Sequence, residues 1–237
     1  MVAKTRFTHK IHDIGIGKDS YLSVVIIGSK PNHLMRGYGP PYLIKDKKGE
    51  TILENQVKVL KAEFPQIEIV VVGGFEFDKL LKSKTTSIRL VENQLYEESN
   101  DIEDLRLGIN NSQYDNVLVL FSDIYFNNLT DICLKSTLLV DGNEKLTEND
   151  IGTTIVDNKA TILSMGIESP KWAKVAFFTD KESKLLRQFI SNRANGKLFL
   201  WEAINFILER GGQFNVKFAQ KNDILVHVEN SKQLERI

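Results

Sequence analysis

Apolar positions follow two different patterns over the first half of the chain. Three stretches are almost continuously apolar and rich in β-branched residues, which is typical of strands buried on both faces of a parallel sheet. These are residues 21–27, 67–72 and 117–121, and a fourth strand is predicted over 87–91. Apolar residues at helical spacing predict helices over residues 51–64, 77–81 and 101–110. The resulting order, β-α-β-α-β-α-β, calls for a parallel sheet covered by helices.

The second half of the chain has a different pattern. Residues 135–176 hold short β-rich stretches separated by turns, which suggests antiparallel additions to the sheet. The last predicted elements are helices over 181–192 and 198–210, strands over 214–218 and 224–228, and a short helix over 231–237. No stretch has the composition of a linker. We therefore expect one α/β domain over residues 1–237, with a mixed, mostly parallel sheet, helices on both faces and an N-terminal arm over residues 1–20.

Charge and composition exclude several classes of protein. Lys plus Arg and Asp plus Glu number 31 each, and this balance argues against general binding to nucleic acid or to anionic membranes. Cys133 is the single cysteine and is most simply a small buried residue, so neither a disulfide within the chain nor a zinc cluster is expected. The polar N-terminus and the absence of an 18-residue apolar run predict a cytoplasmic protein without a membrane segment.

Candidate chemistry lies where the predicted parallel strands end, because ligands of open α/β sheets bind at the carboxyl ends of the strands. The strand over residues 21–27 is followed by the loop GSKPNHLMRGYGPP, and the strand over 87–91 by ENQLYEESN. The strand over 117–121 is followed by Ser122-Asp123-Ile124. An acidic residue at such a place can hold Mg²⁺ against substrate phosphates. The alternative is that Asp123 caps a turn.

Six segments then follow one another in a characteristic order. They are the first strand, a long Gly/Pro loop ending in GPPYLI, and the segments GETILENQ, IVVVGGF, VENQLYEESN and VLVLFSDIYF. This succession resembles the sugar-phosphate nucleotidyltransferases, closely over residues 21–130 and loosely over 130–237. The resemblance implies a Rossmann-like, GT-A-type fold with a nucleotide-binding half over 21–130 and an acceptor-side half over 131–237.

The resemblance also implies a reaction and its cofactor. A sugar phosphate or similar phosphorylated acceptor would attack the α-phosphate of an NTP, and pyrophosphate would leave. Mg²⁺ would be the cofactor, held by Asp123 and by a C-terminal acidic residue that falls on Glu229 in the segment LVHVENSKQLERI. His227 would then be either a further ligand beside Glu229 or a structural strand histidine.

The Gly/Pro loop departs from the family pattern. In a gapless register its glycines fall on Lys30 and Asn32, its arginine on Leu34 and its lysine on Pro41. The loop has therefore lost flexible backbone positions and two cations, and a proline provides no backbone N–H either. The resemblance leaves Gly28, Ser29 and Gly39 as nucleotide-binding positions. The cations left to supply the catalytic charge are Lys30, Arg36 and Lys45.

Four residues are candidates for the acceptor side. Asn93, Tyr96 and Asn100 belong to the loop after the strand over residues 87–91, and Glu202 lies on a late helix. Each also has an ordinary interpretation, because Asn and Tyr are common in turns and a helical glutamate usually faces solvent.

Three functions remain open from the sequence. The first is an active Mg²⁺-dependent nucleotidyltransferase that binds an NTP and a small phosphorylated acceptor. The second is a glycosyltransferase of the same architecture, which a single Asp123 in place of the usual Asp-x-Asp argues against. The third is a non-catalytic binding or structural protein, which the altered loop favours. An oligomer is compatible with each.

Overall fold

The computed structural model describes residues 21–237 except 65, 84, 130, 131, 133, 134, 143–145, 149 and 168. The expected N-terminal arm and Cys133 lie outside the described residues. The strands are β1 Leu22–Ile27, β2 Ile67–Gly73, β3 Arg89–Glu92, β4 Val117–Phe121, β5 Ile124–Phe126, β6 Thr137–Asp141, β7 Ile151–Val156, β8 Lys159–Met165, β9 Lys171–Phe178, β10 Asn215–Phe218 and β11 Leu225–His227. The helices are α1 Ile52–Glu63, α2 Phe77–Leu81, α3 Asp101–Asn110, α4 Asp180–Ser191, α5 Leu200–Glu209 and α6 Ser231–Leu234.

Nine of these strands form one sheet in the order β3-β2-β1-β4-β9-β6-β10-β8-β7. The pairs β3–β2, β2–β1 and β1–β4 are parallel, as the β-α-β pattern predicts. Strand β9 is antiparallel to both β4 and β6, and β7 and β8 form an antiparallel hairpin. The mixed α/β sheet is confirmed, whereas the predominance of parallel pairing is not, because the β-rich second half adds antiparallel strands.

Helices cover both faces of the sheet, as predicted. Successive side chains of β1 point to opposite faces, because a strand has a period of two residues. Val24 and Ile26 belong to a buried cluster with the inward side chains of α1 and with Leu80 of α2. Val25 and Ile27 belong to a second cluster, formed with the inward side chains of α3, α4 and α5. Among the described residues, no helix has the length and apolarity that a membrane crossing requires.

The loop between β1 and α1 is more regular than the sequence predicts. It forms two short 3-10 helices, His33–Tyr38 and Pro41–Leu43. Helix α1 begins with a capping box, in which Thr51 Oγ1 accepts from the backbone N–H of Glu54 at 3.1 Å. Glu54 Oε2 accepts from the backbone N–H of Thr51 at 2.8 Å in return. These contacts fix where the loop ends and helix α1 begins.

Strand β5 was not predicted, and it positions the C-terminal part of the chain. It has three residues, too few for a periodic pattern, and follows β4 after a two-residue turn. It pairs antiparallel with β11, and His227 lies opposite Ile124 in the register. The backbone N–H of Val228 also donates to the carbonyl oxygen of Asp123 at 2.8 Å. The C-terminal strand is thereby held against the end of β4.

Helix α3 approaches β1 closely at Gly108. A Cβ atom at this position would lie 2.3 Å from Cγ1 of Val25, closer than two carbons can approach. We expect G108A to lower the free energy of unfolding by about 1–3 kcal/mol, because overpacking outweighs the roughly 1 kcal/mol gained in helix propensity.

Urea denaturation measures this change. The matched control is G37A, since a Cβ there has no neighbour within 4 Å. We expect the control to change stability by less than about 0.5 kcal/mol. A G108A variant as stable as the control would contradict this account of how α3 packs.

Candidate functional site

A cleft of about 240 Å³ lies at the carboxyl ends of β1 and β4. This is the edge at which open α/β sheets bind ligands. Its lining includes Ile27, Gly28 and Phe121. The polar and charged residues that line it are Ser29, Lys30, Asn32, Asn100, Asp101, Asp104, Ser122, Asp123, Lys174 and Glu229. Four of these carry carboxylates and two carry ammonium groups, so the lining is predominantly acidic.

The strand ends touch each other at Gly28. A Cβ atom on Gly28 would lie 1.8 Å from Oγ of Ser122, which follows β4. The backbone N–H of Ser122 donates to the carbonyl oxygen of Ile27 at 2.9 Å and joins the two strand ends. Gly28 therefore provides the space that Ser122 occupies, which gives this glycine a packing role beside the predicted nucleotide-binding one.

Asp123 lies at the centre of the cleft. His227 Nε2 is 2.8 Å from its Oδ2. Its Oδ1 is buried, and no described residue forms a hydrogen bond with it. Burial raises the pKa of Asp123, but the positive charges of His227 and Lys174 outweigh burial and lower the pKa to about 2. Asp123 is therefore a carboxylate at neutral pH, and one of its oxygens has no hydrogen-bond partner among the described residues.

His227 lies between the two residues expected to hold Mg²⁺. Its Nδ1 is 2.7 Å from Glu229 Oε1, an ion-pair contact without the alignment of a hydrogen bond. Burial lowers the pKa of His227, but the carboxylate of Asp123 opposes burial and the net pKa is raised. The contact with His227 lowers the pKa of Glu229. The structure therefore brings Asp123 and Glu229 together, with an imidazole between them.

Lys174 is the cation of the cleft that the sequence did not reveal. Its Nζ lies 2.9 Å from His227 Nε2, 3.7 Å from Glu229 Oε1 and 5.4 Å from the centroid of the Phe121 ring. It belongs to β9, where its φ of 56° is left-handed and the pairing with β6 shifts register. Such an irregularity re-aims a side chain. The signal in the sequence is weak, since KWAKVAFF reads as an ordinary strand.

Two predicted binding residues are part of a buried network around Asp104. The side-chain amide of Asn93 donates to Asp104 Oδ1 at 2.7 Å, and the backbone N–H of Ser29 donates to Asp104 Oδ2 at 3.0 Å. Burial raises the pKa of Asp104, and these hydrogen bonds oppose the effect only in part. Asn93 is 1% exposed, so it supports the loop after β1 and does not line the cleft.

Lys30 and Asn100 lie together at the rim of the cleft. Lys30 Nζ donates to Asn100 Oδ1 at 2.6 Å. The Asn100 amide donates to the carbonyl oxygen of Lys197 at 2.6 Å. Of the three cations predicted to restore the catalytic charge, Lys30 is the one that lines the cleft.

The other predicted site residues lie outside the cleft. Arg36 stacks 5.3 Å from the centroid of the Phe75 ring, Lys45 forms a β-bridge with Thr51, and Gly39 ends a 3-10 helix with φ 90°. The hydroxyl of Tyr96 contacts Glu97 at 3.2 Å, and Glu202 accepts from the backbone N–H of Phe199 at 2.8 Å at the start of α5. The structure does not bring these five residues to Asp123.

Comparison with known proteins gives a clear result at the level of the fold. No protein-family model matches the sequence, and a search of curated proteins by sequence gives no match. The CTP:phosphocholine cytidylyltransferase from Streptococcus pneumoniae is similar in structure with a TM-score of 0.76, at 17% identity over 91% of this chain and 96% of that chain. The chain has the nucleotidyltransferase fold.

Two further structures share this fold. The inositol-1-phosphate CTP transferase from T. maritima has a TM-score of 0.72, at 15% identity over 93% of this chain and 95% of that one. The nucleoside-diphosphate-sugar pyrophosphorylase from Vibrio cholerae RC9 has a TM-score of 0.71, at 12% identity over 90% and 98%. The expected nucleotidyltransferase fold is thus confirmed. Because the sequence identities are low, the reaction of this chain is inferred from the residues of its cleft.

Asp101 is a further carboxyl of this nucleotidyltransferase fold, at the start of α3. Its Oδ2 accepts from the backbone N–H of Leu200 at 3.2 Å. Burial raises the pKa of Asp101 to about 6. A raised carboxyl pKa means that ionisation costs stability, so stability is lost as the pH rises from about 4 through about 6.

The variant D101N removes this charge and keeps an acceptor for the Leu200 N–H. We expect D101N to be more stable than the wild type by roughly 1–2 kcal/mol at pH 8, and equally stable near pH 4, where Asp101 is protonated. Urea denaturation at the two pH values measures this difference. If the difference in the free energy of unfolding between D101N and the wild type is the same at both pH values, ionisation of Asp101 does not destabilise the fold.

Proposed function

We propose that this chain transfers a nucleotidyl group from an NTP to a small phosphorylated acceptor and releases pyrophosphate. The observation that carries the proposal is that one cleft, at the ends of β1 and β4, is lined by both Asp123 and Lys174, and that Asp123 Oδ1 has no hydrogen-bond partner among the described residues. Three solved structures with this fold are a cytidylyltransferase, a CTP transferase and a nucleoside-diphosphate-sugar pyrophosphorylase. The nine-stranded sheet draws strands from both halves, which supports treating the described chain as one domain.

Asp123 fits the magnesium ion that the fold family implies. Its Oδ1 is a buried, hard oxygen ligand without a hydrogen-bond partner among the described residues. Mg²⁺ commonly binds through one or two carboxylates together with substrate phosphates. Asp123 would hold the ion, which when bound would neutralise phosphate charge. The fit is poorer for Glu229, whose carboxylate contacts His227 and Lys174.

The side chains of the cleft would position the phosphates of both substrates. In the reaction, an oxygen of the acceptor phosphate forms a bond to the α-phosphorus of the NTP, and the bond to the β-phosphate oxygen breaks. The acceptor phosphate is already ionised at neutral pH, so the work of the protein is orientation and charge stabilisation. Lys174 and Lys30 supply positive charge within the cleft, and Asn100 offers an amide at its rim.

A second candidate function has its own observations. The backbone N–H of Ser29 is engaged by Asp104, and Arg36 and Lys45 lie outside the cleft. The loop after β1 therefore presents less positive charge than the resemblance leads us to expect. A protein that binds a nucleotide or phosphorylated ligand without transferring a group would be consistent with this arrangement.

Titration calorimetry with each of the four common NTPs in the presence of Mg²⁺ tests binding, and a coupled assay detects pyrophosphate in the presence of phosphocholine or sugar 1-phosphates. We expect one NTP to bind, and pyrophosphate to appear only when an acceptor is added. Binding without pyrophosphate release from any acceptor would favour the second function. No binding of any NTP would contradict the proposed transfer reaction.

Lys174 provides the sharpest test at the level of a residue. We expect K174M to lower kcat/KM about 10- to 100-fold, because a cation that faces phosphate charge is worth roughly 1.4–2.7 kcal/mol in the transition state. The matched control is K184M, which removes an exposed lysine of α4. Equal activity of K174M and K184M would remove Lys174 from the mechanism. D123N should lose turnover in the same assay.

A further inference from the structure

The imidazole of His227 occupies the space between two carboxylates. Nε2 is 2.8 Å from Asp123 Oδ2, and Nδ1 is 2.7 Å from Glu229 Oε1. Each ring nitrogen thus faces one of the two residues that the resemblance assigns to the metal. Any ion that bridged Asp123 and Glu229 would have to displace this ring.

Lys174 lies against both the imidazole and the carboxylate of Glu229. Lys174 Nζ lies 2.9 Å from His227 Nε2 and 3.7 Å from Glu229 Oε1. The buried carboxylate of Asp123 needs a partner such as His227, because an unpaired buried charge is strongly unfavourable. The oxygen of Asp123 that faces away from His227 is different, since no described residue forms a hydrogen bond with it.

The fold holds the imidazole firmly in this position. His227 pairs with Ile124 in the β5–β11 ladder, and its side chain is 9% exposed. The backbone of the next residues is also anchored: the N–H of Val228 donates to Asp123 O at 2.8 Å, and the side-chain amide of Asn32 donates to Glu229 O at 3.0 Å. A rotation of the ring out of the site would break contacts on both sides.

We infer that the imidazole of His227 occupies the place of a metal bridge between Asp123 and Glu229, so that a divalent ion binds in this cleft through Asp123 and not through Glu229. This inference rests on the proposed function for the identity of the cleft, and it concerns metal binding in the absence of any substrate. It predicts that removal of the His227 side chain allows Asp123 and Glu229 to bind one metal ion together.

Binding of Mn²⁺ to the full chain without nucleotide tests the inference, because Mn²⁺ accepts the same carboxylate ligands as Mg²⁺ and is detected by electron paramagnetic resonance. The variants are H227A, E229Q and the double variant H227A/E229Q. We expect E229Q to bind Mn²⁺ as the wild type does, and H227A to bind it about tenfold more tightly. The double variant should lose that gain.

Three results would overturn the inference. Weaker Mn²⁺ binding by E229Q would make Glu229 a metal ligand in the wild type. If H227A binds Mn²⁺ no more tightly than the wild type does, the ring does not block access to Glu229. The same conclusion follows if the double variant H227A/E229Q binds Mn²⁺ as tightly as H227A does. H33A is the matched control for the loss of an exposed histidine, and H227N is a second variant that keeps a polar side chain in case H227A unfolds.

This experiment is independent of the proposed reaction. A chain that never releases pyrophosphate still shows the predicted order of Mn²⁺ affinities if the inference is correct. Conversely, an active nucleotidyltransferase whose E229Q variant binds Mn²⁺ more weakly would keep the proposed function and lose the inference.

Discussion

The contact between Asp123 and His227 is the interaction on which the arrangement of the cleft depends. It joins the end of β4 to the C-terminal strand β11 across more than 100 residues of sequence, at 2.8 Å. A carboxylate buried at a strand end would otherwise carry a large desolvation cost. Burial raises the pKa of Asp123, but the contact with His227 outweighs burial, so that Asp123 stays ionised there. Its second oxygen has no hydrogen-bond partner among the described residues.

Some of the positive charge of the cleft comes from a different part of the chain than the sequence predicts. In the pattern that the sequence resembles, positive charge comes from the loop after the first strand, and this chain has lost two of those cations. The structure places a lysine of β9, Lys174, within 3 Å of His227 instead. The cleft therefore takes positive charge from the sheet through Lys174 as well as from the loop through Lys30, and strand pairing fixes the position of Lys174. The loop itself is held by Asp104, which engages the backbone of Ser29.

Much of the fold could be predicted from local pattern, and the site only in part. The buried strands β1, β2 and β4 and the helices α1 and α3 carry strong periodic signals, and the structure has them within one or two residues of the predicted bounds. Strand β5 has three residues and no such signal. Among the charged candidates, Lys30 and Asp123 line the cleft, whereas Arg36 stacks on an aromatic ring outside it.

The sequence by itself determined the α/β layering, the parallel half of the sheet and the position of Asp123 at a strand end. These features depend on the period of apolar residues and on the rule that parallel strands end at one edge, and both act over short stretches of chain. Only the tertiary structure decided that Lys174 and His227 meet at Asp123. Their meeting depends on a left-handed residue in β9 and on the β5–β11 pairing, and neither leaves a periodic pattern, because a single irregular residue and a three-residue strand are specified by contacts distant in sequence.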